Sequence, residues 1–232
     1  VGMSAFAHKG GVHVNAILKH PETYEHIRPE KVGNQQRVLI SEQSGVSNLA
    51  YKAKELGVAL DAKDPAMKVL LKDIKDLEQM GYQFEEGEAS FELMLRRAAK
   101  EYPPFFDLLG FRVINDRQSG DLTVLEATVK LSIKGDVIHT AGEGNGPVAA
   151  LDHAFRKALK QYYPEIETMR LTDYKVRVLN SKDATDARVR VIIQSADDKH
   201  TWGTVGVSAN IIEASWKALV DSVEYKLLKD RA

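Results

Sequence analysis

Residues 146–159 read GPVAALDHAFRKAL, and sixty positions later residues 206–219 read GVSANIIEASWKAL. Gly146, Ala149, Ala154, Lys157, Ala158 and Leu159 match Gly206, Ala209, Ala214, Lys217, Ala218 and Leu219, six identities in fourteen positions. Composition alone predicts about one. Ahead of the first copy the hydrophobic period is strand-like over 111–115, 123–133 and 137–141, with turn signals at Ser119-Gly120-Asp121 and Lys134-Gly135-Asp136. Ahead of the second it is strand-like over 175–179, 187–194 and 201–205, and His139-Thr140 is echoed by His200-Thr201. A three-stranded sheet must cover one face, and in each copy the helix is the element available to do so. The spacing therefore predicts an α+β domain made of a βββα unit and its duplicate, with internal pseudo-two-fold symmetry. The helices should run from Gly146-Pro147 to about Tyr162 and from about Ala209 to Leu228, and the seam between the equivalent halves is a natural ligand site.

Upstream the pattern is mostly helical. The first ~60 residues carry turn chemistry, with a short helix expected over 14–19 and an extended piece over 37–41. Asn48 reads as a helix start and Gly57 as its stop. Asp64 is a natural N-cap with Pro65 at the first helical position, and Met67, Leu70, Leu71, Ile74 and Leu77 then follow helical spacing to Gly81. Phe91, Met94, Leu95 and Ala98 repeat it, so helices pack together to close this half. Pro103-Pro104 cannot continue a helix, which places the boundary there. The expected organisation is a linker region over 1–102 and a second domain over 105–232, its repeats spanning about 105–165 and 170–232.

Composition narrows the function classes. Of 232 residues 44% are hydrophobic and 28% charged, enough apolar surface for folded cores. With 32 basic and 33 acidic side chains the formal charge is −1, which disfavours nucleic acid and anionic membranes as partners. The absence of cysteine excludes disulfides, thiolate zinc sites and a cysteine nucleophile. Without a membrane-length apolar run or a signal-peptide pattern, a cytoplasmic location is expected. The start at Val1-Gly2-Met3-Ser4, already inside a motif-like stretch, leads us to expect a fragment of a longer chain.

Two stretches could carry chemistry. Gly142-Glu143-Gly144-Asn145-Gly146-Pro147 precedes a helix whose first turn presents free N–H groups, suited to a carboxylate. The same string also reads as a plain strand-to-helix turn. It lacks the Lys-Ser/Thr of a P-loop, so nucleotide binding is poorly supported. His8 and His13 are five apart, which suits neither a helical nor a strand metal pair, and no metal site is expected in this chain. His13, after two glycines, could project its imidazole into a cleft as a general acid or base, or serve as a structural histidine. Tyr24 has the same two readings.

The stretches HKGGVHVNAILKHPETYEHI and RVLISEQSGVSN, with Gly144-Asn145-Gly146-Pro147 and Trp202-Gly203-Thr204-Val205-Gly206-Val207, resemble the 2-isopropylmalate synthase and citramalate synthase family, most nearly its citramalate synthase branch. The resemblance covers nearly the whole chain. It implies an enzyme that condenses acetyl-CoA with a 2-keto acid, pyruvate for citramalate, on a TIM barrel with a divalent metal, the barrel lying outside this chain. The chain alone would then be inactive and hold no cofactor. His13 and Tyr24 match family positions that serve the barrel's acid–base chemistry. The second domain would be the regulatory one, forming a homodimer and binding a branched-chain amino acid, isoleucine in the citramalate branch or leucine in the other. The implied effector residues are Asn145, Gly146, Pro147, Val148, Ala149, Leu171, Tyr174, Val178, Thr185, Val189 and Ile211. A purely structural dimerisation domain is the competing reading.

Overall fold

The computed structural model describes residues 2–8, 10, 13–14, 16–17, 20, 23–40, 44–117, 123–179 and 187–231. The chain divides into two compact units, Val1–Glu85 with Phe91–Tyr102, and Glu86–Ser90 with Pro103–Ala232. The second unit thus takes in five residues well ahead of the double proline.

In the first unit, β1 (Ala7–His8) and β2 (Arg37–Val38) form a parallel pair, and His13, Val14, Ala16 and Ile17 are helical. Helix α1 (Val46–Glu55) begins two residues before Asn48, whose buried side chain reaches back to accept from the Gly45 N–H at 3.3 Å. Gly57 ends it with φ +68°, a conformation that favours glycine. Helix α2 (Pro65–Gln79) is capped by Asp64, which accepts from Ala66 N–H at 2.8 Å, and buries Met67, Leu70 and Ile74. After α3 (Glu88–Ala98), Arg96 donates to Glu92, to Glu101 and to the Leu56 carbonyl, tying the end of α1 to the end of α3.

The second unit is two antiparallel meanders, each followed by its helix. Strands β3 (Asp107–Arg117), β4 (Thr123–Ile133) and β5 (Asp136–Glu143) lead to α4 (Pro147–Leu159). After a short 3-10 helix at Pro164–Thr168, β6 (Arg170–Leu179), β7 (Arg188–Ala196) and β8 (Thr201–Ser208) lead to α5 (Ile211–Lys229). The α+β class and the βββα duplication are as expected, with longer strands. Both first strands carry a bulge, between Leu108 and Gly110 and between Leu171 and Asp173.

The register of the repeat differs from the one the identities imply. Thr140 Oγ1 donates to the Ala154 carbonyl at 2.7 Å, and Thr204 Oγ1 to that of Ala218 at 2.8 Å. Gly142 faces Ala150 and Ala154 as Gly206 faces Ala214 and Ala218. His153 Nδ1 meets the Glu143 carbonyl where Lys217 Nζ donates to that of Val207. All three correspondences lie sixty-four residues apart. Four extra residues are about one helical turn, so a slipped alignment keeps the same residues on the buried stripe. Small and apolar residues recur under either offset, and the backbone contacts decide between them.

A Cβ on Gly206 would lie 2.0 Å from the Ala214 carbonyl oxygen, and one on Gly142 2.5 Å from the Ala154 nitrogen. The helices rest on their sheets at a distance only glycine permits. Gly206→Ala should therefore lower stability by about 1–3 kcal/mol or more. Gly110→Ala, in open space on β3, should be close to neutral, and urea unfolding followed by circular dichroism compares the two.

The β7–β8 turn is closed by Asp197, which accepts from the N–H groups of Lys199 and His200 and from Lys226 Nζ at 2.7 Å. Burial by itself would raise the Asp197 carboxyl; Lys226 and the two N–H donors outweigh it and hold the group well below the carboxylate range. A depressed folded-state pKa contributes stability above the unfolded value near 3.9 and loses it as pH falls below. The melting temperature of the wild type should drop across that acid range, and Asp197→Asn should drop less.

Candidate functional site

On β6 the residues alternate. Tyr174, Val176 and Val178 pair with Ile193, Val191 and Val189 on the face that carries α5, while Asp173, Lys175 and Arg177 occupy the other. Helix α5 covers β7 and β8 and leaves the far edge open. Tyr174 is 38% exposed, Val176 42%, Val178 57%, and Ile211 at the start of α5 41%. Ser215 Oγ donates to the Ile211 carbonyl at 2.7 Å, so the Tyr174 hydroxyl is the donor in its 2.8 Å contact with Ser215. Burial raises the Tyr174 phenol, against a smaller lowering by Ser215, and keeps it a neutral donor. Sequence-predicted Tyr174, Val178, Val189 and Ile211 thus share one open apolar surface. Val176 belongs to it as well, and the period-two alternation with Tyr174 and Val178 was its signal.

The glycine-rich segment divides by role. Gly142 and Gly144 pass under α4, a Cβ on Gly144 falling 2.5 Å from the Ala150 nitrogen, and neither has positive φ. They serve helix packing, not the approach of a ligand to bare amides. Gly146 stands in open space as the N-cap of α4 and supplies no side-chain cap, whereas Asn210 caps α5 by accepting from Ile212 and Glu213. The first turn of α4, with Asn145 exposed beside Gly146, Pro147, Val148 and Ala149, keeps uncapped N–H groups.

Ala149 and Leu171 meet at the seam between the repeats, in a cavity of about 580 Å³ that Ile166 and Met169 also line. Its polar side includes Asp152, His153, Arg156 and Lys157 from one face of α4. Arg156 holds both oxygens of Asp152, at 2.9 and 2.8 Å, and donates to the carbonyls of Ile166 and Met169 at 3.2 and 2.8 Å. That pair props the 3-10 helix against α4. The i, i+4 spacing of Asp152 and Arg156 was visible in the sequence, its role was not. Thr185 lies outside the described residues.

In the first unit the His13 and Tyr24 rings stack with centroids 4.3 Å apart and planes 26° from parallel, both side chains exposed. The family resemblance pairs the same two residues, and here their rings are in contact. Among the described residues no three His, Asp or Glu side chains converge to hold a metal ion, and no helix is long and apolar enough to cross a membrane.

Residues 86–227, a span that takes in both βββ meanders, α4 and most of α5, match the model of the LeuA allosteric (dimerisation) domain. The chain belongs to this family. Residues 1–82 match the homocitrate synthase post-HMGL domain-like family. Over 230 residues the chain is 55% identical to an (R)-citramalate synthase of Geobacter sulfurreducens, covering 99% of itself and 44% of that protein. It is 53% identical to an (R)-citramalate synthase of Aquifex aeolicus, with 99% and 44% covered. To a 2-isopropylmalate synthase of the same organism it is 33% identical, with 99% and 42% covered. The chain thus spans less than half the length of these relatives.

For this LeuA-type domain the Asp152–Arg156 pair gives a direct test of how the seam is built. Arg156→Met leaves a buried carboxylate without its counter-charge and should cost about 3–5 kcal/mol. Asp152→Leu with Arg156→Met removes both charges and should recover much of the loss, as chemical unfolding of the two variants would show.

Proposed function

We propose that this chain is the regulatory and linker part of an acetyl-CoA-dependent 2-keto acid acyltransferase of the citramalate synthase type, joining acetyl-CoA and pyruvate. Its α/β unit is the receptor for isoleucine, the end product that feeds back on such an enzyme. The reading is supported by two features, the apolar face of β6 with Tyr174, Val178 and Val189 and with Ile211 at the start of α5, and the uncapped first turn of α4, whose Ala149 lies with Leu171 at the seam. The aliphatic side chain of an amino acid matches the first and its carboxylate the second. A small zwitterion also requires no strong net field, in keeping with a formal charge of −1.

In this reading the unit is a homodimer, the description of its family pairing allostery with dimerisation. The effector acts by binding one arrangement of the linker better than another. His13 and Tyr24 serve the barrel: an exposed imidazole is the side chain suited to exchange a proton near neutral pH, and the phenol stacked on it limits its orientations. The divalent metal and acetyl-CoA belong to the barrel. The likeness to a 2-isopropylmalate synthase supports leucine as the alternative effector.

Isothermal titration of the chain with isoleucine, leucine and valine discriminates these. Isoleucine is expected to bind most tightly and Val178→Asp to abolish binding; no heat with any of the three at millimolar ligand returns the unit to a purely structural dimerisation domain. Sedimentation should give a dimer.

A further inference from the structure

We propose that His8 and Glu25 form a positioning pair that holds the Tyr24 ring against the His13 imidazole. This deepens the reading of His13 and Tyr24 as the side chains that serve the barrel, and rests on it. The His8 backbone is fixed by the β1–β2 ladder and by Leu39, whose N–H donates to the His8 carbonyl at 2.9 Å. From that anchor His8 Nε2 reaches Glu25 Oε1 at 3.0 Å across seventeen residues of chain. The Glu25 side chain is only 4% exposed and that of His8 13%. An ionised carboxylate accepts only, so Nε2–H is the donor, and among the described residues His8 is the hydrogen-bond partner of Glu25.

A buried carboxylate is retained only with its partner in place. Glu25 therefore fixes the backbone at 24–25, and the next side chain back is Tyr24. Tyr24 is 45% exposed, yet its ring lies 4.3 Å from that of His13. His13 is itself exposed, so the stacked imidazole remains accessible. His8 and Glu25 touch no substrate in this account; they act through Tyr24 on the orientation of His13.

Proton NMR of the 232-residue chain tests this through the His13 imidazole resonance, which the Tyr24 ring current displaces upfield and which Tyr24→Leu should return to the position of an exposed histidine. Glu25→Ala and His8→Ala should each move it most of the way to the Tyr24→Leu position, whereas Glu25→Gln, whose amide oxygen still accepts from His8, should keep it near the wild-type value. The resonances of His139, His153 and His200 in the α/β unit should stay put. Should Glu25→Ala fail to fold, His8→Ala decides by the same comparison, because it leaves residues 24 and 25 unaltered. A His13 resonance unmoved in the alanine variants overturns the proposal, and so does one unmoved by Tyr24→Leu. The readout is a resonance and not turnover, so the positioning pair can fail while the catalytic reading of His13 stands, and the reverse.

Discussion

Two helices lie on two three-stranded sheets at a separation set by backbone touching backbone. Gly142 and Gly206 bring the strand main chain against Ala150 and Ala154, or Ala214 and Ala218, and Thr140 and Thr204 hydrogen-bond across the gap to helix carbonyls. Because the helix sits so low, its flanks reach sideways to the other repeat: Phe155 of α4 meets Trp216 of α5 at 4.7 Å between ring centroids. A bulkier residue at either glycine would lift the helix and open that contact. The seam between the repeats therefore depends on two hydrogens where side chains would otherwise be.

The two halves are equivalent in backbone and unequal in what fills them. In the first, Phe106, Phe155, Trp216 and Phe111 form a continuous aromatic cluster. With the first strands aligned by their bulges, sixty-three residues apart, and the helices at sixty-four, the corresponding positions of the second are Met169, Leu219, Asp152 and Tyr174, a set of far smaller volume in which an ion-paired carboxylate replaces an indole. Protein interiors do not keep space unfilled where side chains can close it. The cavity beside Asp152, Met169 and Leu171 is the volume that the indole takes up on the other side. Duplication supplied two seams, and the smaller side chains leave this cavity at the second.

Much of this architecture was legible from spacing. The Asp64-Pro65 start, the Gly57 and Gly81 stops and the strand-to-helix changes of period are local signals, and local geometry obeys them. The repeat was legible but its register was not, since a slip of four residues preserves the helical stripe and only tertiary contacts such as Thr204 to Ala218 break the tie. The roles of Gly142 and Gly144 were obscured for a related reason: a glycine needed for close helix packing and one needed for a ligand look the same in sequence. Tyr174, Val178 and Ile211 came from family resemblance, and their neighbour Val176 from no signal but alternation. The His8–Glu25 contact spans seventeen residues with no periodic pattern, so only the fold discloses it.

The composition of β6 argues that its open face is one half of an interface. Its outward residues Asp173, Lys175 and Arg177 are charged, with Lys175 near both Asp173 and Glu86, as expected of an edge strand that must avoid pairing with strangers. Its other face carries Tyr174, Val176 and Val178, apolar and part-exposed among the described residues. A strand that merely faced water would carry polar residues on both sides. Fully covering a valine contributes about 1.5–3 kcal/mol, so the two valines and the tyrosine ring offer several kcal/mol to whatever docks there.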